Sequence, residues 1–520
     1  MSATILWVDD EIDHLGGHIR FLEKKGYRVL TAGSGSAALD MLRSNRVDLV
    51  LMDQMMVGMD GLETVERIRQ SYHSLPVVMV TQSEEEELMD RALGGVAEDF
   101  LTKPVNPSQI LLVLKRILSS DRLRREHATE EVISSAGRLA ERPESGLTWR
   151  DWVEFYSRWM EVEVFSESLV ERDVKKVHRM RMDDLALGFS RFVERRYPAW
   201  LRGEDDPPPM PQTFMKDFLV PELESSSGEV VLLVMDCMRL DQWLAIYSTI
   251  EGLYHQDLAH MFVNLPTATP YSRNALFAGL LPRDIWRFYR GEWNEDLGTP
   301  QLNRFEAGHM RDALRRLGYG AADSAGYVKV RSGRDGEMLQ RNLSQRLEGG
   351  FLAIVVSFLD HLTHGRSESD LLKDLAPDVV SFRSLARSWF MRSHIRSILE
   401  TLAARGATVV VTSDHGSKLS RRVTDVRGGR GMSSSVRFRM GHSLSADHKD
   451  AILVREPAEW GLPDDSPRKS YVMARSDYLL IHPAMDRSEI RKFQNTFQHG
   501  GCSLQEMVVP VAVLRPKRLG

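Results

Sequence analysis

The stretch Phe351–His364, FLAIVVSFLDHLTH, decides the fold of the larger part of the chain. It opens as a nearly unbroken apolar run, the pattern of a strand buried on both faces of a parallel sheet. It closes on Asp360 and His364. A carboxylate and an imidazole just past a buried strand reach the crevice at the strand's carboxyl end, and both are good ligands for a divalent metal. One such pair is weak evidence, but two other segments repeat the design. VVLLVMD ends at Asp236, and ATVVVTSDHG ends in Asp414 and His415.

Composition sets the outer bounds. The chain has 520 residues, enough for several domains, with 42% hydrophobic and 27% charged residues, as in soluble globular proteins. A net charge of -5 argues against a sequence-blind nucleic-acid binder. Only Cys237 and Cys502 are present, so a disulfide framework is not expected and a reducing compartment fits. In MSATILWVDDE an acidic pair stands where a signal peptide would carry its apolar region. No apolar run reaches the ~20 residues that span a bilayer. These features predict a cytoplasmic protein with no membrane partner.

In residues 1–120, the short apolar runs TILWV, YRVL, VDLVLM, LPVVMV and AEDFL alternate with helical patterns, which implies a parallel α/β sheet. Polar residues stand where the runs end: Asp9 and Asp10, Asp53, Thr81, and Lys103 with Pro104. Three clustered carboxylates repel one another and invite a hard cation such as Mg²⁺. Asp53, on the central strand, is then placed to attack a phosphoryl donor, with Lys103 and Mg²⁺ holding the phosphoryl oxygens and Thr81 bonding the new phosphate. At these residues, and at Met56 and Gly61, the segment resembles the receiver domain of two-component response regulators. The resemblance implies a flavodoxin-like fold and makes Phe100 the aromatic switch residue. Val57 stands where such receivers usually carry proline, and Gln82 where a small residue is usual.

Residues 121–225 lose the strand signal. RLRREHATEEVISSAGRLAER reads as a helix with one apolar stripe. Thr148 caps a second helix whose Trp149, Trp152, Tyr156 and Trp159 share a face, better read as an aromatic core stripe than as a base-stacking platform. A third helix covers SESLVERDVKKVHRMRMDDLALGFSRFVERRY, and GEDDPPPMP then breaks the pattern as a linker or strap. The region is expected to be a helical bundle joining sensor to output. It contains no convincing helix-turn-helix, so direct DNA recognition is not expected.

Residues 226–520 carry the remaining chemistry. MFVNL reads as a strand leading to PTATP, and a helix starting at Pro270 puts Thr269 at a helix N-terminus, where an anion is favoured. Thr269 is therefore the preferred attacking hydroxyl, with Thr267 as the alternative; Asn274 either helps hold a phosphoryl oxygen or pairs with backbone. His499 precedes a Gly-Gly pair expected to be flexible. Asp360, His364 and His499 are assigned to one ion, and Asp236, Asp414, His415 and the Thr269 oxygen to another. Mixed His/Asp coordination suits Zn²⁺, with Mn²⁺ as the alternative, and a pair ~4 Å apart steadies attacking and leaving oxygens. Residues 417–449 read as a mobile surface loop or as a substrate lid, in which Arg437, Arg439 and His442 would grip phosphate or stack on a base.

This order of ligands resembles the alkaline phosphatase superfamily, its closest branch being the PglZ domain, and with the receiver the whole chain resembles the PorX type of response regulator. The resemblance implies an alkaline-phosphatase-like α/β sandwich, zinc-dependent hydrolysis of nucleotide or oligonucleotide phosphodiesters with threonine as nucleophile, a sensor histidine kinase as phosphoryl donor, and a phosphorylation-promoted homodimer. TATPYSR does not match the Cys/Ser-x-Pro-x-Arg setting of sulfatases. The main rival reading is a non-catalytic adaptor that contacts a sigma factor or secretion-system regulator. Phosphomonoester hydrolysis, or phosphate transfer within a sugar, is the rival reaction on the same fold.

Overall fold

The computed structural model describes residues 3–82, 97–118, 146–165, 172–295 and 303–517, apart from 46, 73–74, 227 and 430, together with 134, 137 and 139. The chain divides into two units, Met1–Glu130 and Glu131–Gly520. Most of the expected helix at 122–142 lies outside the described residues.

The first unit holds strands β1 (Thr4–Val8), β2 (Arg28–Ala32), β3 (Leu49–Asp53), β4 (Val77–Thr81) and β5 (Asp99–Thr102), all parallel in the order β2-β1-β3-β4-β5. Side chains alternate across this sheet as the strand period requires. Ile5 and Trp7 join a core with Leu22, Ile110 and Leu114; Leu6 and Val8 join another with Ala38, Leu42, Val65 and Ile68. Helices Gly16–Lys24 and 107–118 thus cover one face, and Gly35–Ser44 and Gly61–Ser71 the other. This is the flavodoxin-like receiver fold.

The second unit is built on a six-stranded sheet. Its strands are β6 (Val230–Met235), β7 (Tyr254–Phe262), β8 (Gly326–Val330), β9 (Phe351–Val356), β10 (Thr408–Thr412) and β19 (Val508–Pro516), in the order β7-β19-β10-β6-β9-β8. β10, β6, β9 and β8 run parallel, and β19 is antiparallel to both its neighbours. β6 and β9 are buried at every residue, as FLAIVV and VVLLV predict. Val231, Leu233, Leu352 and Ile354 pack on helices Val379–Arg392 and His394–Ala404. Val230, Leu232, Phe351 and Ala353 pack on helices Thr269–Ala278 and Glu306–Arg316. The result is an α/β/α sandwich.

Three local expectations change. The strand expected at MFVNL is shifted: β7 runs from Tyr254 through YHQDLAH and takes in only Met261 and Phe262 of that stretch. As an edge strand it pairs only with β19, and only Tyr254, Met261 and Phe262 are buried, so its sequence lacks an apolar run. Residues 417–449 are not a loop. They contribute β11 (Lys418–Ser420), β12 (Arg422–Arg427), β13 (Phe438–His442) and β14 (Ser445–Ala446). With β15 (Ala451–Val454), β16 (Lys469–Ala474), β17 (Tyr478–Ile481) and β18 (Thr496–Gln498) they form three small sheets, ordered β11-β18, β14-β12-β17 and β13-β16-β15. Arg437 is fully buried against Glu506, at 3.0 and 2.6 Å, and Arg439 is buried on backbone carbonyls of Ser433 and Leu480, so neither serves as a lid residue. His442 is exposed and bonds Ser466.

The middle helices, Trp149–Phe165 and Arg172–Leu201, do not stand apart from the output. Thr148 caps the first through Asp151, and Trp152 and Tyr156 enter a core with Phe189, Phe192, Phe262, Leu265, Tyr271 and Phe438. The aromatic stripe is therefore core, and packing is continuous across the expected boundary at 225. The PPP segment straps this junction: Pro209 O accepts from Phe262 N at 2.9 Å, and Asp206 O from Trp149 Nε1 at 3.0 Å.

A buried ion cluster ties the first of these helices to helices Leu240–Tyr247 and Val379–Arg392. Asp241 accepts from Arg239 at 2.8 Å and from Arg383 at 3.2 Å, and Arg383 also donates to Glu163 O at 3.0 Å. Burial alone would raise the Asp241 pKa, but the two guanidiniums overcome it and hold the carboxyl below its ordinary value. Because the folded-state value is depressed, the stabilisation is present above the unfolded pKa and fades as pH falls through the folded value. Replacing Asp241 with Asn leaves two buried cations short of charge and should cost about 3 kcal/mol at pH 7. Scanning calorimetry should show the gap in Tm between wild type and Asp241→Asn closing below about pH 4.

Candidate metal centres

In the first unit the expected residues meet at one sheet edge. Asp53 ends β3, Thr81 ends β4, Asp9 follows β1 and Lys103 follows β5. Lys103 Nζ lies 3.0 Å from Asp53 Oδ2 and 3.1 Å from Asp9 Oδ2. Asp9, Asp10 and Asp53 offer carboxylate oxygens within 4.8 Å of one another, a set suited to Mg²⁺. Asp9, Asp53 and Thr81 are buried, and Asp10 is exposed. Burial pushes the Asp53 carboxyl up, opposed by its bond to Lys103 and aided by the Asp9 charge. Phe100 lies on β5, half-buried in the second core. Gly61 is required for space: a Cβ there would strike the Asp53 carbonyl and come 2.8 Å from Gln54 Cα.

In the second unit seven expected residues converge from five places. Asp236 follows β6. Thr269 is the first residue of helix Thr269–Ala278, one position before the expected start. Asp360 and His364 lie one turn apart on helix Phe358–Glu368, Asp414 and His415 follow β10, and His499 follows β18. The tightest donor groups are Asp236–Asp414–His415 and Asp360–His415–His499, each within 4.8 Å. His415 is thus common to both, whereas the sequence pattern assigns it to one. His364 Nε2 lies 3.0 Å from His499 Nε2 and 3.4 Å from Asp360 Oδ1, so it also reaches the second group, from a half-exposed position.

Hydrogen bonds set the two imidazoles. His415 Nδ1 faces the Gly416 carbonyl at 3.1 Å, and His499 Nδ1 the Thr267 carbonyl at 3.3 Å. A carbonyl only accepts, so each Nδ1 carries the proton and each Nε2 presents a lone pair inward, as metal-ligating histidines do. The rings stack, with centroids 4.3 Å apart. His415 Nε2 lies 3.1 Å from the Thr269 hydroxyl.

The carboxylates are unbalanced. Asp236 Oδ1, Asp360 Oδ1 and Asp414 Oδ2 are buried with no hydrogen bond among the described residues. Two imidazoles approach Asp360 Oδ1 at 3.4 and 3.5 Å, beyond good hydrogen-bonding range. Burial, offset by Arg273 and reinforced by Asp414 and Asp360, drives the Asp236 carboxyl well above its usual pKa. Burial opposes ionisation of Asp360 too, but His364, His499 and His415 win and hold it below the ordinary range. Burial, then the neighbouring His415 and His364, push His499 well down, which keeps its lone pair available. Orphaned oxygens beside inward lone pairs fit divalent cations, and the oxygen/nitrogen donor set fits zinc or manganese.

Sequence reasoning missed Arg273. It pairs with Asp236, lies 3.7 Å from Asp414 Oδ2, and donates to buried Glu306 at 2.6 Å. Lys329 and Tyr327 complete the ring of partners around Glu306. The available signal was its spacing of four from Thr269, which puts both on one helix face. Two other residues have backbone partners of their own. Thr267 Oγ1 donates to Gly501 O at 2.7 Å and accepts from Gly500 N at 3.0 Å, so it stitches loops together. Asn274 donates to Pro270 O at 2.9 Å, the backbone pairing. The Gly-Gly pair is closely packed: both residues are buried, and a Cβ on Gly501 would meet the Arg437 guanidinium and the Ala474 carbonyl.

Comparison with known families finds three domain matches along the chain. The response regulator receiver domain family matches residues 5–115, and the PorX response regulator linker domain matches 122–201. The BREX system PglZ alkaline phosphatase-like domain matches 214–514, more than half of the chain. The chain belongs to the PglZ alkaline phosphatase-like family. Its receiver and linker give this PglZ protein the PorX-type architecture. Similar curated proteins include the transcriptional regulatory protein ZraR of Klebsiella oxytoca, 35% identical over 27% of this chain and 32% of that protein. The alkaline phosphatase synthesis transcriptional regulatory protein PhoP of Bacillus subtilis is 36% identical over 23% of this chain and 49% of its own length. The chain thus spans a third to a half of these relatives. Among solved structures, Vibrio cholerae chemotaxis protein CheY4 is 32% identical, covering 22% of this chain and 98% of that one, with a TM-score of 0.22. Receivers bind Mg²⁺ and take their phosphoryl group from a histidine kinase, and alkaline phosphatase-like domains are metal-dependent. Among the described residues no helix is long and apolar enough to cross a membrane.

Metal should therefore stabilise the PglZ unit by linkage. At a thousand times its Kd a single ion adds about 4 kcal/mol. Calorimetry with zinc and then with excess chelator should show Tm rising and falling, and Asp414→Asn should remove most of the rise.

Proposed function

We propose that this chain is a cytoplasmic response regulator whose output, residues 226–520, is a metal-dependent phosphodiesterase acting on nucleotides or oligonucleotides. The receiver occupies 1–120, and the helical region 121–225 joins the two. The observation that carries the reading is the Thr269 hydroxyl, 3.1 Å from His415 Nε2, at the point where two acid–imidazole groups meet.

Asp236, Asp414, His415 and Thr269 would hold one ion, and Asp360, His364 and His499 the other, with His415 near both. Bound there, zinc, or manganese as the alternative, would supply the positive charge that eases loss of the hydroxyl proton and steadies the attacking and leaving oxygens. Thr269 starts a ten-residue helix, so the positive end of the helix dipole favours charge on its oxygen. Thr269 Oγ1 bonds to phosphorus as the bond to the leaving alcohol breaks. The proton given up by the hydroxyl balances the one the alcohol takes. Water then cleaves the phosphothreonine, restoring the hydroxyl and releasing a phosphomonoester. His364, half-exposed, marks the side open to substrate. The thiol of Cys237, beside Asp236, is fully buried and pushed well up by burial, then by Asp360, so it does not compete as nucleophile.

In the receiver, Asp53 would accept the phosphoryl group from a sensor histidine kinase. Lys103 and Mg²⁺ at Asp9, Asp10 and Asp53 would balance the phosphoryl charge, and Thr81 and Phe100 would move in response. Phosphorylation would promote a homodimer.

Purified protein loaded with zinc should hydrolyse bis(4-nitrophenyl) phosphate, and chelator should stop it. Thr269→Ala should lower turnover by about 10³-fold or more with metal content unchanged. Full turnover in that variant would reassign the nucleophile. No turnover by metal-loaded wild type would favour the adaptor reading, with a sigma factor or secretion-system regulator as partner. With acetyl phosphate, light scattering should show wild type dimerising and Asp53→Asn remaining monomeric.

A further inference from the structure

The loops that carry Thr269 and His499 are joined to each other and to the middle of the chain. Thr267 bridges them, accepting from Gly500 N, donating to Gly501 O and, through its carbonyl, orienting His499 Nδ1. Beyond this bridge, each loop ends on the same helix, Arg172–Leu201. Leu265 N, four residues before Thr269, donates to the Tyr197 hydroxyl at 3.0 Å. Cys502 O, three residues after His499, accepts from the Ser190 hydroxyl at 2.7 Å, closer than the helix's own Ala186 O at 3.0 Å. Arg475, which pairs with Cys502 as a β-bridge, is held by Glu194 at 2.5 Å. Ser190, Glu194 and Tyr197 fall at i, i+4 and i+7, so one face of one helix makes all three contacts.

We infer that Ser190 and Tyr197 are positioning residues for the metal-dependent site, and that the helix bearing them is a working part of that site. The assignment rests on the hydrolytic reading above. Both residues are fully buried, and their partners are buried backbone groups. Leu265 N loses its hydrogen bond when the Tyr197 hydroxyl is removed, whereas Cys502 O keeps Ser476 N at 3.1 Å and loses the shorter of its two bonds when the Ser190 hydroxyl is removed. A buried backbone group stripped of such a bond shifts toward its remaining or replacement partner. The loops are short: three residues lie between Leu265 and Thr269, and two between His499 and Cys502. A shift at either end is therefore carried to the reacting hydroxyl or to the His499 Nε2 lone pair. Removing a group bonded directly to a metal ligand typically costs roughly 10–100-fold in metal affinity or activity, and these hydroxyls, which act through a few intervening residues, are expected at the low end of that range.

The test uses full-length, metal-loaded protein with Ser190→Ala and Tyr197→Phe. Both changes remove only an oxygen, and the Tyr197 ring keeps its stacking on Trp460. Tyr254→Phe is the control: it removes an equally buried hydroxyl bond, to Leu399 O at 2.6 Å, remote from the metal ligands in sequence and contacts. Zinc affinity is read by chelator competition, and kcat and KM with bis(4-nitrophenyl) phosphate. Ser190→Ala and Tyr197→Phe should each weaken zinc binding or lower kcat about ten-fold with KM little changed. Tyr254→Phe should lower Tm alone. If the two variants match Tyr254→Phe in both readouts, the positioning role is overturned. If wild type hydrolyses no diester while the two variants still lose zinc affinity, the hydrolytic reading falls and the positioning role stands.

Discussion

The constraint on which the second unit turns is electrostatic. Three carboxylates, Asp236, Asp360 and Asp414, are brought to one sheet edge and each leaves a buried oxygen without a hydrogen bond among the described residues. Such an arrangement is costly unless positive charge arrives. Arg273 supplies part of it, and is itself anchored by Glu306, which in turn is shared with Lys329. The remaining deficit lies where His415 and His499 aim their Nε2 lone pairs. The hydrophobic work of β6, β9 and β10 is what makes this gathering affordable: strands buried on both faces fix where their carboxyl ends lie, and hence where the ligands stand.

The same logic runs through the receiver on a smaller scale. Asp9 and Asp53 are buried together at the carboxyl edge of five parallel strands, and Lys103 bonds both. Each unit of this PglZ-family chain therefore places acids at the carboxyl edge of its sheet and answers them with a fixed side-chain cation and room for a metal. In the proposed reading the two units differ in nucleophile, a carboxylate in one and a hydroxyl in the other.

Much of this was legible in the sequence, because buried parallel strands write themselves as apolar runs and their chemistry follows at once. β6, β9 and β10 with Asp236, Asp360, Asp414 and His415 could be read this way, as could the start of the helix at Thr269 from its proline. What could not be read depends on long-range partners. Arg437 looked like a surface arginine in an Arg/Ser/Gly-rich stretch, because Glu506, 69 residues on, is not visible to local pattern. β7 was hidden by its edge position, and the strands of 417–449 by their short length and mixed faces. The continuity of packing from Trp152 and Phe189 into Phe262 and Tyr271 was equally invisible, since an aromatic stripe does not name what it packs against. The sharing of His415 between donor groups is a matter of distances that spacing along a chain cannot supply.

The most direct test of this account is anomalous diffraction at the zinc edge from metal-loaded crystals of the full chain. Two peaks about 4 Å apart, one flanked by Asp236 and Asp414 and the other by Asp360 and His499, with Thr269 beside the first, are the result predicted here. Peaks at other residues, or carboxylates that stay paired with Arg273 while saturating zinc binds elsewhere, would contradict it.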